Sequence, residues 1–105
     1  SGGENIFPQE IESVLIQHSE IQGVLVLPFD DDVWGKKGVA FIKTSSKNLS
    51  VKEIQELMKD KLAKFKQPKE YIFLEDFPIT GFGKISRKDL IRMYQENLIK
   101  KEHHK

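Results

Sequence analysis

One lysine in this chain is set apart by its neighbours. The stretch Phe77-Pro78-Ile79-Thr80-Gly81-Phe82-Gly83-Lys84-Ile85-Ser86-Arg87-Lys88 places Lys84 in a glycine-flanked loop, behind a proline and a threonine and just ahead of a helix start. Gly81 and Gly83 permit positive φ and a close approach of the backbone to a ligand. A lysine there is a mobile point charge suited to a phosphate or a carboxylate. Taken alone, the same residues also describe a polar turn with a solvated lysine. The other end of the chain holds a second candidate. Ser1-Gly2-Gly3-Glu4-Asn5-Ile6-Phe7-Pro8-Gln9-Glu10-Ile11-Glu12 runs from a double glycine through an extended segment into a proline-started, acidic helical turn. Alone, it is an ordinary junction of loop and helix.

The elements that must position these loops can be read from periodicity. Ile11, Val14, Leu15 and His18 fall at i, i+3, i+4 and i+7, which predicts a first helix over Pro8 to His18. His18 ends that stripe; no second ligand stands at a metal-binding spacing from it. Gly23 to Phe29 is a short β-branched run and reads as a buried strand, ended by Asp30-Asp31-Asp32. Those three carboxylates read as a solvated turn, because the alternating ligands and terminal Glu of an EF-hand loop are missing. No metal ligand is assigned. Trp34 is expected to cap a core edge or a domain interface.

Gly38 to Thr44 predicts a second strand, Val39, Phe41 and Lys43 alternating with Ala40 and Ile42. Ser50 with Glu53 reads as a capping box. The helix it starts buries Val51, Ile54, Leu57, Met58 and Leu62 and fades near Lys64, ahead of Pro68. Tyr71 to Leu74 is a third strand. Ser86 with Asp89 is a second capping box, and a third helix is expected from Arg87 to Leu98, with Lys100 to Lys105 fraying as a tail that includes His103 and His104. The order helix, two strands, helix, strand, helix predicts an α+β domain, a small central sheet packed by about three helices.

Composition narrows the setting. The 105 residues form one small domain, and a core is within reach because 38% of them are hydrophobic. Seventeen Lys+Arg against sixteen Asp+Glu leave a net charge of +1, which gives no bulk attraction to nucleic acid or to a membrane surface. With no cysteine there is no disulfide or thiolate chemistry, and a reducing compartment is permitted. No apolar run approaches the ~20 residues of a membrane span, and nothing reads as a signal peptide. The chain opens inside a glycine-rich loop, so the expectation is a fragment with a larger partner domain on its N-terminal side.

The two loops, in this order and at this separation, resemble the C-terminal domain of the AMP-forming adenylating enzymes, the superfamily of acyl-CoA synthetases, peptide-synthetase adenylation domains and luciferases. The resemblance runs from Ser1 to about Leu90. Between the loops it takes in Asp32-Val33-Trp34-Gly35 and Leu62-Ala63-Lys64-Phe65-Lys66-Gln67-Pro68. It implies a lid that rotates between two half-reactions, adenylation of a carboxylate by ATP and transfer of the acyl group to a thiol. In that scheme Lys84 is the adenylation lysine, and Gly2 and Gly3 belong to the loop that enters for thioester formation.

Lys59, Lys64 and Lys66 are implied candidates for the 3′-phospho-ADP end of CoA, and a solvated basic face fits the same three residues. The full-length enzyme would use ATP, Mg2+ and CoA, while the fragment itself requires no cofactor. Its partners would be the N-terminal domain, a carboxylic acid, CoA and a protein acetyltransferase acting on Lys84. A cytoplasmic location is expected. Phe82 departs from the small polar residue usual before the Gly-Lys pair, and the family's hinge residue lies upstream of Ser1. Gly-Gly-Glu-Asn-Ile-Phe-Pro is similar to the CoA-ligase branch, with a fatty acyl-CoA ligase as the first reading and a 2-succinylbenzoate or other aryl-CoA ligase as the alternative. A stand-alone module binding a phosphate or an acidic partner through Lys84 and Lys88 is the competing class.

Overall fold

The computed structural model describes residues 6–33 and 35–96, and the backbone of residues 102–103. Helix α1 is Pro8–Leu15, strands β1 and β2 are Gly23–Asp31 and Gly35–Lys43, helix α2 is Val51–Met58, β3 is Glu70–Leu74, α3 is Arg87–Gln95 and β4 is Glu102–His103. A single 3-10 turn, Lys64–Lys66, lies between α2 and β3. The strands stand side by side in the order β1-β2-β3-β4. The β1–β2 hairpin is antiparallel, β2 and β3 are parallel across the α2 crossover, and β4 is antiparallel to β3.

Strands β1, β2 and β3 split their side chains between two cores. Val26, Ala40, Ile42 and Tyr71 point to one face and meet Ile11, Val14 and Leu15 of α1 and Ile54 and Met58 of α2. Leu25, Leu27, Phe29, Val39, Phe41 and Ile72 point to the other and meet Leu90 and Tyr94 of α3. The alternation of Val39 and Phe41 with Ala40 and Ile42 in β2 leaves both faces buried, because helices cover both. The α+β class, with a small sheet covered by three helices, is therefore the observed architecture. Among the described residues no helix is long and apolar enough to cross a membrane.

Several boundaries differ from the sequence expectation. Helix α1 ends at Leu15 and not at His18, and α2 ends at Met58, with Leu62 returning to the core through a turn closed on the Met58 carbonyl (2.9 Å). Asp30 and Asp31 belong to β1, where they pair across the hairpin with Lys36 and Lys37; cross-strand charge holds the ladder past the apolar run. Each expected capping box forms its N-cap bond, Glu53 N–H to Ser50 Oγ and Asp89 N–H to Ser86 Oγ, both 3.2 Å. Ser86 N–H goes instead to the Pro78 carbonyl (2.8 Å). Within the expected tail, the backbone of Glu102 and His103 adds a short strand beside Glu70 and Tyr71.

The outer edge of β1 is blunted. Val26 N–H points away from β2 and donates to Glu12 Oε2 (2.8 Å), and Pro28, two residues on, has no N–H to offer. Under α3, Tyr94 OH donates to the buried Glu70 carboxylate, which also pairs with Lys37 (3.3 Å). Burial and the Glu70 bond raise the Tyr94 phenol above its usual pKa. Burial opposes charge on Lys37, but its contacts with Tyr94 and Glu70 outweigh this and hold it above the ordinary lysine value.

Tyr71 is the opposite case. It is fully buried, its hydroxyl has no hydrogen-bond partner among the described residues, and burial pushes its phenol far above the usual range. A desolvated, unpaired hydroxyl costs ~1–3 kcal/mol. Tyr71→Phe is therefore expected to raise stability by about 1 kcal/mol, read as a higher urea midpoint at unchanged slope. A loss of stability of that size would show that the hydroxyl is paired after all.

Candidate functional site

The lysine loop closes on itself. Ile79 and Ile85 form an antiparallel bridge, Thr80 N–H donates to the Lys84 carbonyl (2.7 Å) and Gly83 N–H to the Thr80 carbonyl (3.0 Å). Gly83 has φ of +80°. This is the pattern of a three-residue hairpin loop ended by a left-handed residue, which is why glycine stands there. Gly81 does not adopt positive φ, contrary to the sequence expectation, and a Cβ built on it meets nothing within 4 Å. The domain's own packing makes no demand for glycine at position 81.

Thr80 locks the tip: its Oγ1 accepts the backbone N–H of Phe82 (3.2 Å) and of Lys84 (3.3 Å). Ser86 then caps α3 directly behind the hairpin, so the loop is anchored to a helix packed on the sheet. Lys84 is exposed and forms no ion pair among the described residues. Its neighbours are apolar and equally open, with Ile79 56%, Phe82 93% and Ile85 39% exposed. The arrangement presents one cation on a stiff, apolar-collared hairpin, fit to be carried into a site built elsewhere.

The other candidate lysines divide. Lys59 and Lys64 line one open cleft of about 390 Å³ with Gln55, Glu56, Leu62, Ala63 and Gln67. It lies beside α2, on the sheet face opposite α3. Lys66 is not in that lining. Its Nζ lies 3.2 Å from Glu10 Oε1 and 4.8 Å from the centre of the Phe7 ring, tying the turn before β3 to the start of α1. Gly2 and Gly3 lie outside the described residues, as does Trp34; the segment that follows the glycines is held through Phe7 and Glu10.

Residues 10–84 match the family model described as the AMP-binding enzyme C-terminal domain. The chain belongs to that family. A 2-succinylbenzoate–CoA ligase of Bacillus cereus (strain Q1) is 38% identical over 96 residues, 91% of this chain and 20% of that protein. Among solved structures, a Mycobacterium tuberculosis fatty acyl CoA synthetase superposes with a TM-score of 0.82 at 36% identity, over 92% of this chain and 19% of that one. An o-succinylbenzoate CoA synthetase of Bacillus subtilis, bound to a product analogue, superposes with a TM-score of 0.75 at 34% identity, over 98% of this chain and 20% of that one. The chain thus spans about one fifth of the length of the curated relatives it matches.

For a C-terminal domain of this family, a cluster beside α2 is worth noting. His18, Glu20 and Glu53 bring potential ligand atoms within 4.8 Å of one another. His18 Nδ1 accepts the Glu20 backbone N–H (3.0 Å), which leaves the ring proton of the neutral imidazole on Nε2, facing Glu53 Oε2 at 3.5 Å. That tautomer offers Glu53 a donor where a metal would need a lone pair. The geometry therefore suits a turn lock for His18.

Sequence reasoning passed over Thr80, Glu12 and the Lys66–Glu10 pair. For Thr80 a signal existed: a threonine followed two and four residues later by backbone donors around a Gly is a local side-chain turn. For the other two, no local signal exists, because the partners are 14 and 56 positions apart.

Proposed function

We propose that this chain is the lid of an ATP-dependent, AMP-forming acyl-CoA ligase. The observation that carries the reading is Lys84, which closes a self-bonded hairpin at the end of the family match and has no ion pair among the described residues. In adenylation, the substrate carboxylate attacks the α-phosphate of ATP and negative charge passes to the departing pyrophosphate. A cation delivered between these anions in a water-poor site lowers that barrier. Lys84 holds this role, with Thr80 and Gly83 setting the direction of its stem.

In the second half-reaction, CoA sulfur attacks the acyl carbon and AMP leaves. Gly2 and Gly3 line the pantetheine path, Lys59 and Lys64 face the phosphates of CoA across their cleft, and Lys66, engaged with Glu10 and Phe7, positions the glycine segment. ATP, Mg2+ and CoA belong to the full-length enzyme, whose location is cytoplasmic. Acetylation of Lys84 by a protein acetyltransferase would silence it.

Fatty acids are the first substrate class, supported by the likeness to the fatty acyl CoA synthetase; 2-succinylbenzoate stands beside it on the strength of the ligases matched in sequence. The test is ATP–pyrophosphate exchange and acyl-CoA formation by the full-length protein with fatty acids of graded length and with 2-succinylbenzoate. Exchange with at least one acid is expected, and none from this 105-residue chain alone. Full-length protein that exchanges with none of them, yet binds phosphate or acidic peptides, would favour the stand-alone binding module.

A further inference from the structure

Phe82 is the most conspicuous residue that the proposed reaction leaves without a task. It is 93% exposed, it occupies the hairpin tip two residues before Lys84, and Ile79 and Ile85 flank the same loop at 56% and 39% exposure. Among the described residues nothing covers the ring. The turn holds Phe82 by its backbone N–H alone, which donates to Thr80 Oγ1. A lone exposed phenylalanine would be ordinary, but three open apolar side chains gathered on one braced loop mark a contact surface for another body. A Cβ built on Gly81 beside it meets nothing within 4 Å, so the domain itself leaves that side of the tip open.

The covering surface is identifiable in kind. The chain spans about one fifth of its relatives, so a much larger part of such a polypeptide lies outside it. The hairpin that carries Lys84 to that part must carry Phe82 with it, since both hang on the Thr80 hydroxyl. We infer that Phe82, with Ile79 and Ile85, is a water-excluding collar that seals the mouth of the adenylation site on the remainder of the same polypeptide when Lys84 enters. This rests on the acyl-CoA ligase reading. Two consequences follow. Displacing water strengthens the attraction between Lys84 and the anions it meets. It also protects the product: an acyl-adenylate is a mixed anhydride, and water adding to its acyl carbon breaks the bond to the phosphate oxygen. AMP leaves with the electron pair, the free acid is regenerated and the proton goes to solvent.

Because the Phe82 side chain is 93% exposed and uncovered by the described residues, its replacement is expected to leave the fold intact. Moving a phenylalanine side chain from water into an apolar site corresponds to roughly ten- to a hundredfold in an equilibrium. In the full-length enzyme, with dodecanoate or 2-succinylbenzoate and no CoA, Phe82→Ser is expected to lower the rate of the first pyrophosphate burst about tenfold. Steady AMP release after the burst should rise by a similar factor, as adenylate is lost to water. Thioester formation from supplied acyl-adenylate should not change. Phe82→Leu, which keeps an apolar side chain, should return burst and leak to near wild type, a rescue that a purely structural role for the loop would not produce. Wild-type exchange with an unaltered burst and leak in Phe82→Ser overturns the collar and leaves the ligase reading standing. A wild-type enzyme that exchanges with neither acid overturns both.

Discussion

Lys84→Ala in the full-length enzyme is expected to cut acyl-adenylate formation by about 10²–10³-fold or more, the scale of removing one preorganised electrostatic contact to a developing charge. Thioester formation from supplied acyl-adenylate should stay near the wild-type rate. The structure supports so selective a loss. The side chain is exposed and unpaired among the described residues, and its backbone N–H and carbonyl both bond to Thr80 regardless of the side chain, so alanine leaves the hairpin and the cap of α3 in place. Arginine would keep the charge but bring a longer, planar head and is expected to recover only part of the rate. Acetyl-lysine keeps the stem and removes the charge, so enzyme acetylated at Lys84 should behave as Lys84→Ala until a deacetylase restores it. The measurements are single-turnover pyrophosphate release and, separately, thiolysis of prepared adenylate. Equal losses in both would make Lys84 a structural residue.

The mirror result is expected at Gly3. A leucine there should slow thiolysis by about 10²-fold, the scale on which a misplaced reacting group loses rate, and spare adenylation, since it would add bulk on the proposed pantetheine path. Lys66 gives this an internal control. Its contacts with Glu10 and Phe7 hold the start of α1, so a loss at Gly3 confined to thiolysis separates the path of the thiol from the anchoring of the segment. If adenylation falls as far as thiolysis, the glycines serve the shape of the loop alone.

What could be read in advance follows the range of the interactions involved. The α+β order, the three longer strands and the two serine N-caps rest on neighbours a few residues apart, and each lay within its own stretch of sequence. So did the loop around Lys84, where Gly83 and Thr80 act within five residues of each other. The boundaries and pairings that were not legible depend on distant partners. Helix α2 ends at Met58 and Leu62 reaches the core through the turn that follows, although nothing between them forbids helix. Asp30 and Asp31 extend β1 because Lys36, opposite Asp30, and Lys37, within ion-pair reach of Asp31, supply charge from the neighbouring strand. Lys59, Lys64 and Lys66 are near in sequence, yet the first two share a cleft and the third is drawn to Glu10, 56 positions away. Gly81 and Gly83 look equivalent as letters, and only the hydrogen-bond pattern of the hairpin makes one of them obligatory.

In the proposed reaction, the hairpin's self-closure would also set the entropy of each encounter between Lys84 and its anionic substrates. Fixing a backbone residue costs ~1–2 kcal/mol, and immobilising a lysine side chain costs a further ~1.5–2 kcal/mol. The backbone bonds Ser86 N–H to Pro78, Thr80 N–H to Lys84 and Gly83 N–H to Thr80 meet the backbone part once, when the domain folds. Every later arrival of the lysine then needs only the four-carbon stem to order. A floppy loop would lose that conformational freedom anew in each turnover, and the penalty would appear in the barrier to closure. Here it has been moved into the stability of the domain, and the motion left to the cycle is that of a rigid body.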